Sequence, residues 1–294
     1  MQAQYRTCFE ELVPGLVVHA GDPDPATLAA LIADAEIVVD GHTELDAATL
    51  DAAPKLRHVV FLGTGADFYI NPDDAAARGV TVHTVRGYGD RAVAEHALAL
   101  TFAVARRLAW MDAEMRAGRW SPAAGIELAG RRFGVIGAGG IGRATAALAA
   151  AIGMEVVVWN RSAAGDVAGR QLTALEDLLA TSDVVSIHLA ATPETARFLG
   201  RERLATMRDG AILVNTARGA LIDHDALLDA LDDGDLLGAG LDVFDAEPLP
   251  RGSRLRTHPR LVLSPHAAFN TVEASRRLLQ RGLETTRDLL ATLA

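Results

Sequence analysis

The 294 residues, half of them hydrophobic with a mean hydropathy of +0.17, suffice for about two domains with a sizeable buried core. Twenty-eight Lys and Arg against 38 Asp and Glu give a formal net charge of -10 and a pI near 5.3, the wrong sign for a surface that tracks nucleic acid or an anionic membrane. The single cysteine, Cys8, leaves no partner for an intrachain disulfide and no cysteine metal site. The opening MQAQYRTCFEEL lacks the basic patch and apolar run of a secretory signal, so a cytoplasmic protein of small-molecule chemistry is expected.

From the N-terminus, β-rich runs alternate with Ala/Leu helical patches: GLVVHA as a strand, ATLAALIADA as a helix, EIVVDG, ATLDAAPKL, RHVVFLG, then DAAARGVTVHTV as helix and strand. Strands alternating with helices predict a parallel sheet. After the turn RGYGD, Val93, Ala97, Leu100, Val104, Leu108, Met111 and Met115 step by three or four. They predict one long helix, capped by Asp90, stopped at Gly118, and kept out of the membrane by Glu95 and His96. A second run begins at Arg131, with strands RFGVIG, EVVVWN, DVVSIHL, AILVNT, GAGLDVF and RLVLSP separated by helical patches, which predicts a six-strand doubly wound unit. The last segment, TVEASRRLLQRGLETTRDLLATLA, is an amphipathic helix with no strand to follow, expected to pack back on the first domain. The expected fold is α/β, two Rossmann-like doubly wound parallel-sheet domains with a cleft between them: residues 1–89 with 268–294, and 90–267.

Between RFGVIG and the next helix lies Gly137-x-Gly139-x-x-Gly142. A strand precedes it, a helix opens at its third glycine, and a second strand ends at Asn160, eighteen residues beyond Gly142. That context separates a dinucleotide loop from a chance turn, because glycines let the chain turn tightly and bring N–H groups onto a pyrophosphate at a helix N-terminus. Gly137, Gly139, Gly140, Ile141 and Gly142 are therefore candidate cofactor contacts. At the ribose end, Asn160, Arg161 and Ser162 stand where an Asp or Glu would bond the 2′-hydroxyl of NAD. Without that carboxylate, and with a cation and a hydroxyl to meet a 2′-phosphate, NADP is favoured over NAD.

Three further strand ends carry chemistry. Arg218 follows AILVNT, where a guanidinium can fork onto the carboxylate or carbonyl of a 2-oxo acid. His266 follows RLVLSP and Glu247 follows GAGLDVF; a histidine can give a proton to the alkoxide left by hydride transfer, and a carboxylate beside it orients the ring. His19, His58, His83, His96, His188, His224 and His258 show no paired-ligand spacing, so no metal is expected. His42, in a loop after a first-domain strand, is left unassigned.

FLGTGADFY, AVAEHALAL, LVNTARGALID, AGLDVFDAEPLP and LVLSPHAAFNT, in that order around the glycine loop, closely resemble the D-isomer-specific 2-hydroxyacid dehydrogenases from about Glu36 onward. The resemblance implies Arg218, Glu247 and His266 as catalytic residues. It places Thr64, Gly65 and Arg218 on the substrate, and Leu189, Thr216, Ala217, Asp242 and Ala268 around the nicotinamide, with Asp242 bonding the carboxamide. It implies a reductase of a small 2-oxo acid, glyoxylate or hydroxypyruvate, to the D-2-hydroxy acid, and a homodimer through the nucleotide domain, with the helix at Val93–Met115 and the arm from Trp110 to Trp120 as candidate contacts, though that helix could equally be ordinary core. Members acting on 3-phosphoglycerate carry a phosphate-binding Arg where this chain has Asp40, which disfavours that substrate. HAAFN also replaces the family's usual Gly-containing continuation. The alternatives are a dinucleotide-sensing regulator without turnover and a formate- or phosphite-type dehydrogenase.

Overall fold

In the computed structural model, which describes residues 12–162, 165–172 and 174–293, the chain folds as two units, residues 1–89 with 271–294 and residues 90–270. Cys8 and the opening segment lie outside the described residues.

The first unit holds a three-stranded parallel sheet, β1 (Ile37–Asp40), β2 (His58–Phe61) and β3 (Thr81–Thr84), in that order. Helices α1 (Pro25–Ile32), α2 (Ala47–Asp51) and α3 (Pro72–Ala77) connect the strands. Each helix starts on a side-chain cap: Asp24 accepts from Thr27 N–H, Asp46 from Thr49 N–H, and Asn71 from Asp73 and Asp74 N–H. Ile32, Leu45, Leu50, Val59, Phe61 and Ile70 close one core. GLVVHA, expected as a strand, forms none. Among the described residues β1 pairs only with β2, so its outer edge stays unpaired and this segment does not dock on it, and Val17 is 82% exposed. The C-terminal helix, α10 (Val272–Leu293), does return to this unit: Arg277 Nε donates to Tyr88 O at 2.9 Å, Arg281 Nη1 to Arg86 O at 2.7 Å, and Leu283 packs with Val13. The return starts at Thr271 rather than at residue 268.

The second unit begins with α4 (Asp90–Ala105) and α5 (Leu108–Arg116), two helices where the apolar stripe predicts one. Arg107, at φ 54°, breaks the run, and no residue of α5 is buried. Val93, Ala97, Leu100 and Val104 are buried with α4, whereas Leu108 is 50% exposed, so the stripe outlasts the surface it can pack on. The sheet contains β4 (Arg132–Ile136), β5 (Glu155–Trp159), β6 (Arg170–Leu172), β7 (Val184–Ile187), β8 (Ala211–Asn215), β9 (Leu236–Leu241) and β10 (Leu261–Leu263). All are parallel, in the order β10-β9-β8-β7-β4-β5-β6. The seventh strand, β6, is three residues of Arg-Gln-Leu at the edge, too short and polar to show as a periodic run. Helices α6 (Gly140–Ala151), α7 (Leu175–Thr181), α8 (Arg201–Leu204) and α9 (His224–Asp233) complete the winding, with an apolar core on each face of the sheet. Strand order reverses between β4 and β7, and the carboxyl ends flanking such a reversal are where open α/β sheets bind ligands.

Candidate functional site

The glycine loop sits at that reversal. Gly137 has φ +98°, and a Cβ there would lie 2.5 Å from His188 O and 3.0 Å from Leu189 Cδ2; a Cβ on Gly142 would lie 1.9 Å from Gly137 O. Both positions therefore require glycine, one for backbone conformation and close approach, the other so that α6 can start directly under the loop. A Cβ on Gly139 would meet nothing within 4 Å, and Gly139 and Gly140 are exposed. A tight loop that is open above the N-terminus of a twelve-residue helix is the cradle a dinucleotide pyrophosphate needs, so these residues fit the group. Ile141 follows in the first turn of α6, and Leu189 lies against the loop.

Asn160 ties the end of β5 to this cradle. Its Oδ1 accepts from Ala138 N–H at 3.1 Å and its Nδ2 donates to Ser162 O at 3.0 Å and Ser162 Oγ at 3.2 Å. Arg161 and Ser162 are exposed beyond it.

Four residues just past β7, β8, β9 and β10 extend the strand register: His188, Thr216, Asp242 and Ser264 follow the aligned Ile187, Asn215, Leu241 and Leu263. His188 is half-buried beneath the glycine loop, with Nε2 2.9 Å from Ser186 Oγ; desolvation of the ring pulls its pKa down to about 4, so the ring is neutral. Its Nδ1 and the neighbouring Thr216 Oγ1 are buried without a hydrogen-bond partner.

Arg218 lies in a turn braced by the fully buried Asn215, whose Oδ1 accepts from Ala217 N–H at 2.9 Å and whose Nδ2 donates to Arg218 O at 2.8 Å. The guanidinium donates from Nη1 to Ala217 O at 2.6 Å. Gly219 brings the turn against the loop after β9: a Cβ there would lie 2.0 Å from Phe244 C. Phe244 N–H in turn donates to Glu247 Oε1 at 2.8 Å, and Glu247 Oε2 lies 2.6 Å from His266 Nδ1. Both side chains of that pair are about a third exposed. The carboxylate, held on one oxygen by backbone, accepts Nδ1–H with the other and fixes the tautomer that leaves Nε2 for proton exchange. The structure thus joins two of the three expected catalytic residues directly, and carries Arg218 on the turn packed against their loop.

His266 itself has φ 51°, and the backbone around it is held by Asp242. Asp242 O accepts from His266 N–H at 2.7 Å, Oδ1 from Ala267 N–H at 2.9 Å, and Oδ2 from Ala268 N–H at 2.9 Å. Sequence reasoning set aside His96, whose Nε2 is 2.8 Å from Ser264 Oγ, and did not single out Ser264, which donates to Asp242 Oδ1 at 2.6 Å. The separation of 168 residues gives no local motif. The available signal is a matched repeat: glycines at 238 and 240 let α4 approach β9, and added Cβ atoms would meet Val104 and Leu100 at 2.7 Å.

Thr64 and Gly65 belong to the first unit, after β2, where Gly65 caps a short 3-10 turn over Ala66–Phe68. Asp40 ends β1 in the same unit at 4% exposure. Its Oδ1 accepts from Thr43 N–H at 3.0 Å, its Oδ2 is sealed without a partner, and burial pushes its pKa up to about 6. His42 packs edge-on against Phe61 and Tyr69. Among the described residues no group of three or more His, Cys, Asp or Glu could hold a metal ion, and no helix is long and apolar enough to cross a membrane.

Residues 98–268 match the family described as D-isomer specific 2-hydroxyacid dehydrogenase, NAD binding domain. The chain is 41% identical to a D-3-phosphoglycerate dehydrogenase of Mycobacterium leprae over 275 residues, covering 92% of this chain and 52% of that protein. It therefore spans about half the length of that curated relative. A glyoxylate reductase of Thermofilum pendens is 37% identical over 260 residues, 85% of this chain and 76% of its own length. A crystal structure of a Thermus thermophilus protein superposes with a TM-score of 0.85 at 38% identity, covering 94% of this chain and 90% of the other.

Proposed function

Since the chain belongs to the D-isomer-specific 2-hydroxyacid dehydrogenases, we propose that it reduces a small 2-oxo acid to the D-2-hydroxy acid, with glyoxylate and hydroxypyruvate as leading substrates and NADPH preferred over NADH. The observation that carries this reading is the 2.6 Å contact between His266 Nδ1 and Glu247 Oε2 at the carboxyl edge of the sheet that bears the glycine cradle. A bound nicotinamide supplies the hydride. With Nδ1–H held on Glu247, His266 delivers a proton from Nε2 to the carbonyl oxygen as it becomes an alkoxide, then recovers one from solvent. Arg218 turns its guanidinium from Ala217 O to the substrate carboxylate or carbonyl oxygen, where it favours the growing negative charge. Thr64 and Gly65 supply backbone N–H groups to the carboxylate, and Thr216, Ala217, Leu189, Asp242 and Ala268 surround the nicotinamide.

Two features support the finer choices. Asp40 puts a carboxylate, not a cation, at the end of β1, which favours a substrate without a distal phosphate although phosphoglycerate dehydrogenases are among the similar proteins. The exposed Arg161 and Ser162, with no carboxylate on that strand end, favour a 2′-phosphate. The working form we propose is a cytoplasmic homodimer through the second unit, supported by apolar exposure of Phe102 (40%), Leu108 (50%), Met115 (54%) and Trp120 (84%); sedimentation velocity at micromolar concentration checks it, a monomer contradicting it.

Absorbance at 340 nm with NADPH or NADH against glyoxylate, hydroxypyruvate and 3-phosphohydroxypyruvate tests the reading, with formate and phosphite assayed in the oxidising direction. Oxidation of NADPH by an unphosphorylated 2-oxo acid is expected. Turnover confined to the phosphorylated acid, or product from formate or phosphite alone, overturns the substrate class; tight NADPH binding with no turnover points to a sensor.

A further inference from the structure

The side chains of His96 and Ser264 complete a chain of hydrogen bonds that ends on the backbone flanking His266, and Ser264 O itself accepts from His266 N–H at 3.1 Å. Ser264 has one hydroxyl proton, and it goes to Asp242 Oδ1 at 2.6 Å; His96 must therefore donate Nε2–H to Ser264 Oγ at 2.8 Å. Asp242, wholly buried, accepts the N–H groups of Ala267 and Ala268 on its carboxylate and that of His266 on its carbonyl. A buried carboxylate needs its donors, so losing the serine or histidine link leaves Asp242 under-satisfied and free to turn away from one of these N–H groups. The residue clamped between them has φ 51°, a left-handed conformation that a non-glycine residue keeps only when its surroundings enforce it.

The fold explains why the histidine is there. Along α4, Val104, Leu100 and His96 are four residues apart, a rise of about 6 Å per step. Along β9 and just beyond it, positions 238, 240 and 242 are two residues apart, about 6.6 Å per step. Val104 faces Gly238 and Leu100 faces Gly240, each at 2.7 Å from where a Cβ would stand, and the next step sets His96 over Asp242, 3.5 Å from Oδ1. Two side-chain-less strand positions thus fix the helix at the depth where His96 reaches the strand end.

We propose that His96 and Ser264 are positioning residues for proton transfer: through Asp242 they hold the backbone of residues 266–268 so that the His266 ring meets Glu247 and presents Nε2. The inference rests on His266 being the acid/base group of the proposed reaction. It does not require either residue to touch substrate or cofactor.

The test uses Ser264→Ala, His96→Leu and His96→Gln, the last keeping an N–H donor of similar reach. Steady-state rates at 340 nm with glyoxylate and NADPH are read beside the NADPH Kd from fluorescence. Imidazole 15N–1H spectra, with His266 assigned by His266→Gln, report its ring directly. The expected result is a kcat lowered about tenfold or more in S264A and H96L, because misplacement on the order of 1 Å can cost about 100-fold. Because Asp242 and Ala268 also border the proposed nicotinamide site, NADPH Kd rises by less than kcat falls, the His266 resonance shifts or broadens, and H96Q recovers most of the rate. An unchanged kcat with an unmoved His266 resonance overturns the proposal, as does loss of NADPH affinity parallel to the loss of rate. If the wild type turns over no 2-oxo acid, the reaction assignment fails on its own, and the spectra alone decide: a moved resonance sustains the positioning role, and an unmoved one refutes it.

Discussion

Replacing Asp40 by Asn measures the cost of sealing a carboxylate at the end of β1. The side chain is 4% exposed, Oδ2 has no partner, and burial raises its pKa from 3.8 to about 6. Because the folded value lies above the unfolded one, the folded state holds the proton more tightly. The contribution is fully present below about pH 3.8 and is lost as pH rises through about 6. The shift corresponds to about 3 kcal/mol at 1.36 kcal/mol per pKa unit. Asn cannot titrate, and its Oδ1 still accepts the Thr43 N–H that Asp40 accepts at 3.0 Å. Wild type should therefore lose most of this, about 2.4 kcal/mol, relative to D40N between pH 4 and pH 8. Urea denaturation at pH steps across that range gives the difference. Far-UV circular dichroism follows the whole chain, while Trp110, Trp120 and Trp159 all lie in the second unit, so their fluorescence separates its transition from that of the first. A pH-independent difference, or a wild type that gains on D40N as pH rises, would refute the reasoning.

His188→Gln tests the opposite sign in the second unit. Wild-type stability is present above pH 6.5 and falls by about 3 kcal/mol as pH drops through about 4, and the variant should flatten that slope in tryptophan-monitored denaturation. Gly142→Ala places a Cβ 1.9 Å from Gly137 O, so NADPH affinity by fluorescence titration should weaken by about tenfold or more, about 1.4 kcal/mol, with the far-UV spectrum retained; unchanged binding would contradict the cradle. Arg161→Ala should weaken NADPH by about tenfold while NADH stays within about twofold, and equal losses for both would remove the 2′-phosphate assignment.

The winding of the second unit was legible because its buried strands are continuous apolar runs: VVV of β5, VV of β7 and AILV of β8 are buried on both faces and cannot be mistaken for exposed loops. The glycine cradle was legible because steric demands at Gly137 and Gly142 allow one residue type. GLVVHA misled because a β-branched run signals strand propensity but not the packing that holds a strand in place, and here Val17 and Val18 stay exposed. The stripe from Val93 to Met115 misled because periodicity reports which face is apolar, and not where the surface beneath it ends. At the site, His266 and Glu247 stood out by position after strand ends. His96, Ser264 and Asn215 did not, since a hydrogen bond across 168 residues has no spacing to read. Asp242 was legible as a site residue by resemblance, but its hold on the backbone of residues 266–268 depends on a turn geometry that only coordinates supply.

The most direct test of the account is the turnover of His266→Asn with NADPH and glyoxylate, read at 340 nm beside the NADPH Kd of the same preparation. Loss of the acid/base group should lower kcat by about 10²–10⁴-fold and leave the Kd within about twofold. A variant that turns over at the wild-type rate would contradict proton transfer by His266.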